Sequence, residues 1–306
     1  MKARLIEDGG AAASDPEQFF RSPAFLEAEA VTHTLAIDGD PEVRLPVIVR
    51  EIDPGGKVDA ISPYGYPGAL ELPDEPPDPA RIDWSETGLV SIFVRDRIGE
   101  RPCFAGGALR SRVHVAEGTG GIRKRLREQI RRNERRGWDT RLLPGRTVEM
   151  GQLRAFELAY AETMVRTGAA ARYLYPTSYF ARLLLSDPSW LILAEREGAA
   201  RAAAIAVVSD GYLHYYLGGT ADKALGDSPM KNLFWAMIEF GAELGLPVNL
   251  GGGVKPGDSL DDFKRGFATA QAPWHTHELV CDPVAYDELA ASAGEAPEGF
   301  FPAYRA

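Results

Sequence analysis

This chain of 306 residues has only two cysteines, Cys103 and Cys281, far apart and without the paired spacing of a zinc ligand set. Neither a disulfide framework nor a cysteine-based metal centre organises it, and both thiols are read as reduced side chains that pack like small hydrophobes. No apolar run reaches the roughly 18 residues a membrane helix needs. The opening MKARLIEDGG lacks the apolar stretch of a secretory signal, so the expected location is the cytoplasm. Apart from an Ala-rich opening there is no low-complexity tract and no short internal repeat. Hydrophobic residues at 45% and charged residues at 25% are the balance of a folded globular protein, and 306 residues suffice for two domains with a core each.

The formal net charge of −10 argues against a polyanionic partner, because most of the surface repels phosphate. The distribution runs the other way in one place. Between positions 123 and 136 stand Arg123, Lys124, Arg125, Arg127, Arg131, Arg132, Arg135 and Arg136, opposed only by Glu128 and Glu134. Ile122, Leu126 and Ile130 recur at helical spacing, which predicts a helix over 122–136 that packs one narrow stripe and ends at Gly137. Two readings stay open from the residues alone. Arginines three and four apart bridge phosphates bidentately, or they pair with acidic side chains elsewhere in an acidic chain.

Periodicity predicts a helix over 17–29 capped by Ser14 or Asp15, then strands at 31–37, 45–52 and 58–64. Pro73, Pro76, Pro77 and Pro79 make 72–81 a surface loop. Strands follow at 89–95 and at 111–117, the latter alternating Val113 with Val115 as an edge would. Beyond the basic helix, which is expected to open a second domain, come helices at 150–167 and 176–185. A hairpin turning at Gly198, a strand at 211–219, a helix at 230–244, a strand at 247–253 and a last helix at 259–267 complete the order. The fold class is therefore α+β, or mixed α/β.

Three segments carry the functional signal: HYYLGGT at 214–220, NLGGG at 249–253 and DSLDDFKRGF at 258–267. Together they resemble the FemABX-like peptidyltransferases, and SPYGYPG at 62–68 resembles the first-domain turn of that family. Such enzymes are built of acetyltransferase-like (GNAT) domains and move an amino acid from aminoacyl-tRNA onto an amine. The resemblance implies two tandem GNAT-like domains without a helical coiled-coil arm: residues 1–120, degenerate and on the acceptor side, and residues 121–306, carrying the aminoacyl-tRNA and catalytic site. It implies that the Phe263–Lys264 pair is catalytic, with Lys264 stabilising negative charge on the acyl oxygen and the departing ribose hydroxyl. Tyr64, Tyr66, Tyr216 and Gly252 fall to substrate binding, and Arg123, Lys124, Arg127, Arg131, Arg132 and Arg135 to tRNA. Aminoacyl-tRNA enters as co-substrate, with no further cofactor, no metal and no membrane partner expected. The rival reading of 258–267 is an amphipathic helix that buries Leu260, Phe263 and Phe267 and leaves Lys264 in water.

Cell-wall members of the family grip a nucleotide sugar with a first-helix lysine and an Arg–Asp pair after a Thr-Gly turn. The matching segments here, SPAFLEAEA and TGAAARY, lack them. A small peptide or peptide-type natural product, as in antibiotic biosynthesis, is thus the favoured acceptor, with a peptidoglycan precursor second. An acyl-CoA-dependent N-acyltransferase would carry an Arg/Gln-x-x-Gly-x-Gly/Ala turn, which is missing, and RTGAAA at 166–171 has the wrong spacing. A non-enzymatic RNA-binding module would use the basic helix alone. Other motifs fail: GDSL at 257–260 has no later Asp-x-x-His, the phosphate-loop mimic at 252–259 has Asp258 where lysine belongs, and His275 and His277 lack a third ligand. A base for the attacking amine is not singled out among Glu71, Asp258, Asp261 and Asp262, and the family leaves room for the tRNA ribose hydroxyl to carry the proton.

Overall fold

The computed structural model describes residues 1–52, 55–255 and 257–306. It divides into two compact units, one made of residues 1–16, 20–111 and 273–306, the other of 17–19 and 112–272. This differs from a division at 120, because the tail of the chain belongs with its beginning. In chain order the first unit supplies β1 (Ala3–Ile6), α1 (Pro23–Ala28), β2 (His33–Ile37), β3 (Val43–Glu51), β4 (Val58–Ile61) and β5 (Leu89–Ile98). Strand β6 (Ala108–Ala116) leads into the second unit, which holds α2 (Lys124–Arg135), β7 (Asp139–Pro144), α3 (Met150–Thr167), α4 (Thr177–Leu185), β8 (Ser189–Arg196) and β9 (Ala199–Ser209). Then come β10 (Tyr212–Thr220), α5 (Met230–Leu244), β11 (Val248–Gly251) and α6 (Ser259–Arg265), before β12 (Ala270–Val280) and α7 (Pro283–Ala293) return to the first unit.

In the first unit the strands run in the order β1-β2-β3-β4-β5-β12. Leu35, Ile37, Val43, Leu45, Ile92 and Val94 from alternate strand positions make its core. The helix expected over 17–29 is shorter. Ser22, not Ser14 or Asp15, caps it by accepting the Phe25 amide at 3.3 Å, and Pro23 occupies the first turn, where its missing N–H costs nothing. Strand β12, unread in the sequence, pairs antiparallel with β5 through His277↔Val94 and Leu279↔Ile92.

In the second unit the order is β6-β11-β10-β9-β8-β7, antiparallel except for β10 beside β11. Phe234, Met237 and Ile238 of α5 pack on Leu213, Val248 and Leu250, and Ile122, Ile130 and Leu126 bring the basic helix α2 into the same core. Helix α3 presses on β10 so closely that a Cβ at Gly219 would meet the Ala159 carbonyl oxygen at 2.3 Å, which is why the LGGT run needs a glycine there. Among the described residues no helix is long and apolar enough to cross a membrane.

The parallel pair β10–β11 is joined by only two register pairs, Leu213↔Val248 and His214↔Asn249. Beyond them β10 bulges at Tyr216 and β11 ends at Gly251, whose φ of +75° turns the chain away. A buried side-chain link holds the point of divergence. Asn249 donates from Nδ2 to His214 Nδ1 at 3.0 Å and accepts the Gly251 amide on Oδ1 at 2.8 Å, while His214 Nε2 donates to the Ser209 carbonyl at 3.0 Å. Burial lowers the His214 pKa to about 4. Since the unfolded ring titrates near 6.5, stability present above that pH is lost as pH falls toward 4, by roughly 3 kcal/mol in all. Denaturant unfolding at stepped pH should show this loss, and it should be absent in His214→Gln. Asn249→Ala, which strands two buried polar groups, should cost roughly 2–4 kcal/mol at neutral pH.

Candidate functional site

Past Gly251 the chain makes a tight turn into the short helix α6, and Asp258 builds it. One carboxylate oxygen accepts the Asp261 amide at 2.7 Å as helix cap, and the other accepts the amides of Val254 at 2.8 Å and Lys255 at 2.9 Å. Those backbone donors, Lys255 first, hold its carboxyl below the usual range. A Cβ at Gly253 would lie 2.4 Å from Asp258 Oδ1, so this turn closes only over glycine. The apparent hydrolase block GDSL is thus a helix cap.

Helix α6 departs from the amphipathic expectation at two positions, Leu260 and Lys264, while Phe263 and Phe267 pack inward as read. Leu260 is 40% exposed, whereas Lys264 is 7% exposed. Phe263 packs tilted against Phe234 at 5.2 Å and edgewise against Phe267 at 5.4 Å, anchoring the helix to the core. Lys264 Nζ donates to the Gly252 carbonyl at 2.8 Å and lies 5.5 Å from the centre of the Tyr215 ring. Burial lowers its pKa to about 8, with Asp258 and Asp261 pulling the other way. The ammonium therefore sits where β10 and β11 part, desolvated but charged at neutral pH. Beside it a Cβ at Gly252 would meet nothing within 4 Å, so the chain leaves room there.

Of the residues singled out from the sequence, the structure brings Lys264, Phe263 and Gly252 together. Tyr216 takes the opposite face of β10 from Tyr215, and its hydroxyl lies 3.1 Å from that of Tyr179. The tyrosine beside Lys264 is Tyr215, as strand alternation requires. Tyr64 and Tyr66 belong to the first unit, where Tyr64 donates its amide to Glu29 at 2.7 Å and Tyr66 packs edgewise between Phe20 and Trp274. On α2 and at its two caps, Arg123 meets Asp262 at 3.3 Å, Lys124 meets Glu128 at 3.9 Å and Arg136 meets Asp227 at 2.8 Å. Arg125, Arg127, Arg131, Arg132 and Arg135 have no acidic partner among the described residues, and all but the half-buried Arg127 are exposed.

Sequence reasoning missed His114. It lies on β6 opposite Gly251, buried, with Nε2 2.8 Å from Asp261 Oδ1. That hydrogen bond is the main cause of a lowered Asp261 pKa. Nothing in the alternation of Val113 and Val115 marks the histidine between them. In the first unit, Asp96, Cys103 and His277 form the one group with metal-ligand atoms in mutual reach among the described residues. Within this group His277 Nε2 lies 2.9 Å from Asp96 and the Cys103 amide donates to Asp96 at 3.3 Å.

Residues 120–265 match the family model of the acetyltransferase (GNAT) domain. The chain is similar in structure to FemX, with a TM-score of 0.60 at 11% identity over 83% of this chain and 89% of that one. It is also similar to a conserved protein of unknown function from Bacteroides thetaiotaomicron VPI-5482, with a TM-score of 0.51 at 10% identity over 87% and 91% of the two chains. No curated protein matches it in sequence. The fold is thus mixed α/β and tandem GNAT-like, and its longest described helix, α3 with 18 residues, is no coiled-coil arm.

The Lys264 environment sets a stability test. Holding the ammonium out of water costs roughly 3 kcal/mol below pH 8, against about 1–3 kcal/mol returned by its hydrogen bond. Lys264→Met should therefore be at least as stable as the parent at pH 7. The parent should gain on it as pH rises from about 8 to 10.5, where its unfolded chain holds the extra proton. Chemical unfolding at pH 7 and pH 10 measures both. A variant much weaker by the same margin at each pH would make the lysine a structural group.

Proposed function

We propose that this chain, which has the FemABX-like tandem acetyltransferase fold, transfers an amino acid from aminoacyl-tRNA to the amine of a small peptide or peptide-type acceptor. The observation that carries the reading is the desolvated Lys264 ammonium at the parting of β10 and β11. One of its three N–H donors is held by Gly252, which fixes the group and leaves two for a ligand. Placed against an acyl ester, it neutralises the oxyanion that forms when the amine attacks and then the departing ribose oxygen. A preorganised donor of this kind contributes roughly 3 kcal/mol in a site that excludes water. Phe263 holds Lys264 in place rather than taking part in the chemistry.

The unpaired arginines of α2 support a polyanionic donor. Guanidinium groups engaged with carboxylates are poor phosphate ligands, and among the described residues Arg125, Arg127, Arg131, Arg132 and Arg135 are not so engaged. In this reading Tyr215, beside Lys264, is the aromatic group at the reacting ester, and no cofactor or metal is required. The peptidoglycan precursor stays the second acceptor. An acyl-CoA donor is disfavoured by the turn before α5, where Asp222 and Asp227 stand and the glycine spacing of a pyrophosphate loop is missing. Asp227 is committed there to Trp138 at 3.1 Å and to Arg136 and Arg196 at 2.8 Å.

Radiolabel from pooled charged tRNAs should move to peptide acceptors in a ribonuclease-sensitive reaction, with acetyl-CoA run beside it as donor. Lys264→Ala should lower the rate by roughly 10²–10³-fold, and the Lys264-dependent part of the parent rate should decline above about pH 8 as the ammonium neutralises. Transfer from acetyl-CoA alone would replace the donor. A triple change of Arg131, Arg132 and Arg135 to Ala should weaken tRNA binding and flatten the log–log salt dependence by about 0.7–0.9 per lost phosphate contact. An unchanged slope would remove α2 from the tRNA site.

A further inference from the structure

We propose that His114 is the general base for the attacking amine and that Asp261 positions it. The proposal rests on the transferase reading above and adds the proton acceptor that reading lacks. His114 is 1% exposed, and its Nδ1 is buried without a hydrogen-bond partner among the described residues. A buried polar atom that no protein group pairs is uncommon and takes its partner from ordered water, a ligand or a reacting group. The other ring nitrogen faces Asp261 Oδ1 at 2.8 Å. An ionised carboxylate only accepts, and the Asp261 pKa is held low, so in the neutral ring Nε2 carries the proton and Nδ1 keeps its lone pair. This is the arrangement in which a carboxylate fixes the tautomer of a basic imidazole.

Position joins the dyad to Lys264. His114 is the register partner of Gly251, and Lys264 Nζ would stand 3.1 Å from a Cβ on that same glycine while it holds the Gly252 carbonyl. Asp261, one turn before Lys264 on α6, also favours the charged form of the lysine. The histidine that carries the proton acceptor and the lysine that carries the oxyanion donor thus both flank Gly251, next to the open space at Gly252. In the step, the neutral acceptor amine attacks the acyl carbon and a C–N bond forms. The amine proton passes to Nδ1, the C–O bond to the ribose breaks with its electron pair on oxygen, and the proton goes from Nδ1 to that oxygen. Lys264 keeps its proton throughout.

The test uses the full chain with aminoacyl-tRNA and a peptide acceptor. His114→Gln, which can still donate to Asp261, and Asp261→Asn should each lower kcat by roughly 10²-fold or more with KM near that of the parent. His114→Ala should recover rate when imidazole is added, and the recovery by substituted imidazoles should rise with their basicity. Parent-like kcat in His114→Gln, or a loss in His114→Ala that no imidazole recovers, would overturn the proposal. If the parent transfers only from acetyl-CoA, the donor reading fails while the same variants and rescue, run with that thioester, still decide the base. A parent chain inactive with both donors would overturn base and function together.

Discussion

Two parallel strands with only two register pairs between them need another tie, and the buried hydrogen bonds of Asn249 are that tie. Its amide joins β11 to His214 on β10, and its oxygen takes the first amide of the turn that follows. Every feature of the site lies just beyond this point. Because the strands are pinned at His214 and Asn249, they are free to part at Tyr216 and Gly251, and the gap has a defined floor. A leucine at 249 would fill the volume and leave the strands without a reason to meet there.

Charge burial follows from that geometry. Phe263 packs α6 onto the core beside Phe234 and Phe267, and Lys264 turns inward to the Gly252 carbonyl. The ammonium is tolerated because a carbonyl, an aromatic face and two nearby carboxylates replace part of its hydration. Burial still lowers its pKa to about 8, so the remaining hydration is only partly replaced.

Where local pattern decided the structure, the sequence was legible. Helices α3 and α5 and the β8–β9 hairpin turning at Gly198 stand where periodicity places them, and the stripe Ile122, Leu126, Ile130 packs as read. Where distant residues decide, it was not. Strand β12 begins with a proline near its start and gains its identity from pairing with β5, far earlier in the chain. Lys264 looks outward on a helical projection, yet the turn at 251–253 comes over it. His114 meets Asp261 across 147 positions, and a lone histidine between two valines has no local signature for that.

The first unit is interrupted: residues 112–272 form a body of their own before 273–306 return to complete it. Synthesis from the ribosome therefore reverses the order of the chain. The later body has all but three of its residues in one continuous stretch and can close while the earlier one still lacks β12 and α7. Until those last residues emerge, β5 has an open edge, with Val94 and Ile92 waiting for partners not yet made. The apolar surface of the first unit stays exposed for that interval, and a chain released before residue 273 would carry a folded second unit tethered to an unfinished first one.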